Sequence, residues 1–472
     1  MQKRRLRRRD FLRLSAAATV GTALAACQPK IVEKVIKETV MVAGTPQVVE
    51  KVVKETVVVE KAAPKEKVHV DVWYQSVPER QMPFIQEILI DDFNQAQDDI
   101  EAKWSFIAEY GTVMKTALAA GAAGDIVFGD VHHLNLYFHS DLVRDLDEFS
   151  AQYGWQDIMV PFAYMSGNSE GHLFCVQQTI ETMMAYYNKS MFDERGWQVP
   201  KTLEDYEELC PEILKAKLVA LAQCASWWLA TEMYTNWSGG MNLYQALKGD
   251  KPWTDPEFVG AVNWLKDWND RRWFSDGKLI ASTTDGAQSL FISQKAAMIW
   301  KGTWQLTPLL REDEPVEFEW DWEAIPGLSE YQTVPTFACG SGGAWAITTA
   351  SRYPDAAGEV LAWFYSDRKR AARMAASAPG EFIAPLRFTQ DDWPPNTDPR
   401  LIRAVVTVLE AIDQNNYGYL LWAAWPPGMP EVMVKNMQRV VMGEITSEEG
   451  HEEIQKVFEE NIENVPPLPP RE

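Results

Sequence analysis

"VHVDVWYQSVPERQMPFIQEILIDDFNQAQDDIEAKWSFIAEYGTVMKTALAAGAAGDIVFGD" (residues 68–130) is the stretch on which the fold turns. VHVDVWYQ alternates apolar and polar residues, the period of a half-buried strand. FIQEILIDDFNQAQ follows, with Phe84, Ile88 and Phe93 at helical spacing. IEAKWSFIA is strand-like again, VMKTALAAGAAG reads as a helix stopped by glycine, and DIVFGD is a third strand. Alternating strand and helix predict an α/β fold with an open, parallel-cored sheet. Ligands of such sheets bind beyond the carboxyl ends of the strands. That rule selects Tyr74 and Gln75 after the first strand, and Asp130, His132 and His133 after the third.

Upstream the chain changes character. RRRDFLRLSAAATVGTALAAC (7–27) carries a twin arginine, Arg8-Arg9, and ends on Leu24-Ala25-Ala26-Cys27. Its apolar run is too short for a bilayer, which needs roughly 20 residues. The order reads as a Tat-type lipoprotein signal peptide over 1–26, with Cys27 as the lipidated first residue of the mature chain. Next, VEKVIKETVMV (32–42) returns as VEKVVKETVVV (49–59), identical at nine of eleven positions. Valine favours extended backbone and the Glu/Lys pairs favour solubility, so 27–67 reads as a tether. The 38 residues of 28–65, fully extended, reach at most roughly 120–135 Å.

The 472 residues are 46% hydrophobic and 24% charged, enough to bury a sizeable core. The formal charge is −22, and the first 26 residues hold seven Lys/Arg against one Asp, so the remainder is more acidic still. Such a surface excludes nucleic acid as a partner. It suits neutral or cationic ligands. Most of the twenty tryptophans suit the core, but so many suggest that some form stacking surfaces in a binding cleft. No Gly-x-Ser-x-Gly elbow occurs, and GSGG (340–343) lacks the Lys-Ser/Thr of a phosphate loop.

GHLFCVQQTIETMMAYYNKSMFDERGWQVPKTLEDYEELCPEIL (171–214) contains a capping-box pattern at Thr202 and Asp205. With DGAQSLFISQKAAMIWKGTWQL (285–306), SGGAWAITTASRYPDAAGEVLAWFYSD (341–367) and VVMGEITSEEGHEEIQKVFEENI (440–462), it resembles the family-1 extracellular solute-binding proteins of ABC importers, of the maltose-binding, carbohydrate type. One departure is Cys175-Val176-Gln177, where that family commonly has Gly-Leu-Pro. The resemblance implies two α/β lobes around a ligand cleft. Lobe one is expected at 68–176 plus 341–386, lobe two at 177–340 plus 387–465, and a proline-rich tail at 466–472. It also implies a monomer outside the cytoplasm that hands a small solute to the permease subunits of an importer. Neither catalysis nor a cofactor is implied.

By the same resemblance, Glu181 lies at the cleft beside a lobe crossing, and Trp304 stacks on a sugar ring. Glu232, Tyr234 and Trp237 match an E-x-Y-x-x-W stretch lining the second lobe. Trp345, Trp422 and Trp425 are further aromatic candidates. Asp130, His132 and His133 lie on one turn without a clear fourth ligand, so no metal is expected there. Two rival readings remain: a binder of a cationic solute such as a polyamine or peptide, and a secreted glycoside hydrolase, which needs a facing pair of carboxylates. Besides Cys27, cysteines 175, 210, 224 and 339 allow three pairings. Cys175 and Cys339 each lie near an expected lobe crossing, so the two are expected to be close in space.

Overall fold

Val70, Val72 and Tyr74 take the buried face of the strand Val68–Gln75, as the alternation predicts. The computed structural model describes residues 30–42, 45–57, 67–77, 82, 85–311 and 314–471. The signal segment, Cys27 and Phe84 lie outside the described residues. Residues 1–67 and 68–472 form separate units.

In the first unit, the two copies of the repeat pair with each other. Lys30–Val42 and Thr45–Val57 form an antiparallel ribbon whose register sets Glu33 opposite Lys54, Val35 opposite Val52 and Lys37 opposite Glu50. The backbone is extended, as valine dictates, but it doubles back. The single long reach expected of a tether is therefore not realised: a thirteen-residue strand spans only about 45 Å.

The second unit is built on two sheets. One has the order Ile100–Ile107, Val68–Gln75, Ile126–Gly129, Ala344–Ile347, Val176–Gln177. Its first three strands run parallel, and Ala344–Ile347 enters antiparallel between Ile126–Gly129 and Val176–Gln177. The other has the order Val219–Ala222, Ala296–Gly302, Ile180–Asn188, Phe337–Ser341, Tyr417–Tyr419, with Trp320–Glu323 also paired to Ile180–Asn188. Helices cover both sheets, which is why strands such as Ile180–Asn188 are buried at every residue. The helix Leu203–Lys215 starts at the Thr202–Asp205 capping box. In the second lobe the core absorbs much of the tryptophan: Trp253, Trp268, Trp300 and Trp425 are fully buried there. The segment after Val465 packs on the second sheet, where the Tyr419 hydroxyl donates to the Pro469 carbonyl at 2.6 Å and Arg471 lies over the Tyr417 ring at 4.9 Å.

The chain passes between the sheets at Gln177–Ile180 and again at Ser341–Ala344, and the two passages are antiparallel. Cys339 pairs with Thr182 and Ser341 with Ile180 on one side, and Ala344 with Gln177 and Trp345 with Val176 on the other. Gln178 N donates to Gly343 O (2.9 Å) and Gly342 N to Thr179 O (3.2 Å), so the ladder continues through the crossing. A third passage joins them: Ile180 N donates to Ile383 O at 2.8 Å, and Ile383 N to the Thr179 hydroxyl at 2.9 Å. This geometry overturns the expected proximity of Cys175 and Cys339. In antiparallel passages, a residue just before one crossing faces a residue just after the other. Cys175 therefore belongs with the first-lobe core and Cys339 with the second, and both are buried free thiols, as are Cys210 and Cys224.

Candidate functional site

The crossings form the floor of the site. Glu181 follows the first crossing, is 8% exposed, and sits opposite Gly340. A Cβ at Gly342 would lie 2.1 Å from the Glu181 carboxyl, so only glycine lets the second crossing pass over it. Burial raises the Glu181 pKa well above the carboxylate range, and the charges of Glu381 and Asp130 push it the same way. These three acids, from separated parts of the chain, thus share one neighbourhood. Glu381 arrives with the third crossing. Its neighbour Gly380 (φ +81°) would, with a Cβ, lie 1.9 Å from the Thr303 carbonyl oxygen, so the segment rests directly on the turn that carries Trp304.

The second lobe supplies the wall. Trp304 stands in the turn Thr303–Gln305, immediately beyond the strand Ala296–Gly302, and remains partly exposed. Its ring centroid is 5.3 Å from that of Trp228 and 5.9 Å from that of Trp422. Lys301 lies 5.3 Å over the Trp228 ring and donates to Gln288. Burial lowers the Lys301 pKa to about 8, against the pull of Asp285 and Glu381. The first lobe supplies the opposite lip. The helix Val131–His139 begins just after Ile126–Gly129, and its His132, 7% exposed, reaches the backbone of Trp422. The His132 and His133 rings lie 3.9 Å apart, and His133 Nδ1 is 3.7 Å from Asp130 Oδ2. Burial, then the charge of His133, holds the His132 pKa down to about 4.

The structure therefore brings Asp130, His132, His133, Glu181, Trp304 and Trp422 together, and it buries most of the other candidates. Tyr74 and Trp345 stack on each other in the first-lobe core (5.3 Å, 28°), and Trp345 is 1% exposed. The Tyr74 hydroxyl accepts from Gln178 Nε2 at 3.1 Å, which ties it to the crossing rather than to solvent. Gln75 is exposed at the strand end. The E-x-Y-x-x-W stretch turns inward, because the helix Trp227–Glu232 continues as a π-helical segment, Met233–Ser238. Glu232 is fully buried and accepts from Asn236 at 2.9 Å. The Tyr234 hydroxyl meets His451 Nε2 at 3.0 Å, and Trp237 packs on Trp264 at 5.5 Å. Trp425 is fully buried against Trp227. Glu232, Tyr234, Trp345 and Trp425 are thus taken up by the lobe cores.

Trp228, Lys301 and Glu381 were not foreseen. Trp228 had only a weak signal: it lies in the helix Trp227–Glu232 that follows the strand Val219–Ala222, farther from its strand end than Asp130 is from its own. For Glu381 the expected lobe boundary at 386/387 lay only a few residues downstream, but nothing in APGEF singles out the carboxyl itself.

Two lobes joined by crossing strands, with polar and aromatic side chains facing each other between them, define a solute-binding protein of the periplasmic-binding fold. Residues 89–401 match the family model described as bacterial extracellular solute-binding protein, and the chain belongs to that family. A multiple sugar-binding protein of Streptococcus mutans is 26% identical over 286 residues, which is 56% of this chain; the match spans only 63% of that protein's own length. Among solved structures, a chitin oligosaccharide binding protein superposes with a TM-score of 0.69 at 17% identity, over 84% of this chain and 99% of that one. An ABC substrate-binding protein from Listeria monocytogenes in complex with cycloalternan gives 0.65 at 18% identity, over 84% and 99%. At those identities the likeness establishes the fold. Among the described residues, no helix is long and apolar enough to cross a membrane.

Proposed function

We propose that this chain captures a sugar or oligosaccharide outside the cytoplasm and delivers it to the permease of an ABC importer. The observation that carries the reading is the partly exposed pair Trp228 and Trp304, backed by the buried Trp422 and close to the crossing that brings in Glu381. Indole faces take the apolar face of a sugar ring, while carboxyl and imidazole groups accept and donate to its hydroxyls. The multiple sugar-binding relative supports the same ligand class. Closing the lobes improves these contacts, and that difference in contact energy is what a ligand uses to drive closure.

Titration of the purified chain with a panel of neutral oligosaccharides and polyamines, read by tryptophan fluorescence, tests the reading. Saturable binding of an oligosaccharide is the expected result. The gathering of Asp130, Glu181 and Glu381 favours one rival, a cationic solute, and binding of amines alone would replace the sugar reading with it. Hydrolysis of any glycan in the panel would instead point to an enzyme. The anchor is part of the proposal: Cys27 carries the lipid, and Cys27→Ser should release the protein from membranes or stall its maturation. Unchanged membrane retention of that variant would remove the anchor from the reading.

A further inference from the structure

We propose that Asp130, His132 and His133 bind a divalent transition-metal ion of the Zn²⁺ class at the first-lobe lip of the cleft. One donor atom from each of the three residues lies within 4.8 Å of the other two. Two imidazoles and a carboxylate are a donor set that suits zinc and its neighbours. Two further observations point the same way. His132 is buried to 7% exposure, yet its Nδ1 has no hydrogen-bond partner, an arrangement that costs free energy unless something occupies the nitrogen. Asp130 holds the N-cap position of the helix Val131–His139, but its carboxylate accepts nothing from the helix N–H groups. A capping aspartate normally does accept there, so this side chain is left for other use.

The geometry needs a modest contraction. Zinc–ligand distances near 2.0–2.1 Å set tetrahedral donors about 3.3 Å apart, against 3.7 Å between Asp130 Oδ2 and His133 Nδ1. His132 is the fixed anchor. His133 and Asp130, with side chains 49% and 39% exposed, are free to draw in and leave a path for the ion from solvent. The remaining coordination positions are open to water or to a ligand hydroxyl. The proposal does not depend on which solute the cleft takes.

The test is isothermal titration of the full chain with Zn²⁺ alone, with Co²⁺ as a spectroscopic substitute. The expected result is one saturable site per chain in the micromolar range or tighter. Asp130→Asn and His133→Ala, both on exposed side chains, should each weaken it at least about tenfold, the scale of losing a metal-site partner. His132→Ala should abolish it while circular dichroism shows the fold retained. The cobalt spectrum should show ligand-field bands without thiolate charge transfer, since four buried thiols are the competing donors. Absence of saturable binding, affinity unchanged in Asp130→Asn and His133→Ala, or a thiolate cobalt spectrum would each overturn the proposal.

Discussion

Glu232 is a carboxyl with no route to water: its Oε2 accepts from Asn236 and its Oε1 has no partner. Burial raises its pKa well above the ordinary 4.5. The folded state therefore keeps a proton that the unfolded chain gives up, and stability falls as pH rises from about 4.5 toward the folded value. Glu232→Gln keeps the acceptor for Asn236 and removes the charge. Its thermal midpoint should exceed the parent's by more at pH 8 than at pH 5, and an equal gap at both would show that Glu232 does not titrate in this way. Trp304 is the converse case, an indole left partly open between two others. Trp304→Ala should weaken sugar binding by about 1–3 kcal/mol, the scale of a buried aromatic contact, with the melting curve nearly unchanged. Affinity equal to the parent's would remove Trp304 from the site. The two residues also show what a reading from sequence reaches. Trp304 is singled out by the solute-binding resemblance, and it stands partly exposed in the turn after the strand Ala296–Gly302. Glu232 was misread because a spacing match cannot reveal that a helix widens into a π-turn and rotates its carboxyl inward.

At the scale of elements, the repeat ribbon Lys30–Val42 with Thr45–Val57 forms a unit apart from residues 68–472. Deleting 30–57 should leave the thermal midpoint of the rest unchanged, as measured by calorimetry on parent and deletion. A drop of several degrees would mean that the ribbon supports the lobes. A two-stranded ribbon is marginal on its own in water, so its pairing should melt at lower temperature than the lobes. The alternation of 68–130 was readable because side-chain period is local. Lys30–Val42 was read correctly as extended, but which strand it pairs with depends on a turn that valine content does not specify. The crossings at Gln177 and Ser341 announced themselves through the solute-binding resemblance, and the substitution of Cys-Val-Gln for the usual Gly-Leu-Pro still leaves Val176–Gln177 a regular paired strand. The third passage, at Ile383, falls a few residues before the lobe boundary expected from the same resemblance, while its bond to Thr179 joins residues more than two hundred positions apart and no periodicity reports that contact.

For the molecule as a whole, both lobes are assembled from distant segments. In the first sheet, Ala344–Ile347 fills an interior place between Ile126–Gly129 and Val176–Gln177. A chain cut before residue 344 should accordingly show no cooperative unfolding transition for that lobe. A sharp two-state melt of such a fragment would show that the inserted strand is dispensable. The same insertion sets a timetable for the protein's birth. The ribosome makes Ile126–Gly129, four buried residues, more than two hundred positions before the strand that covers their edge. At about 5–20 residues per second, that edge waits on the order of 10–40 s, open to pairing with any other nascent chain nearby. The lobe cannot finish as it emerges. Its folding is a late event, and a chaperone that shields the growing chain over that interval should raise the yield more than one acting on the finished protein.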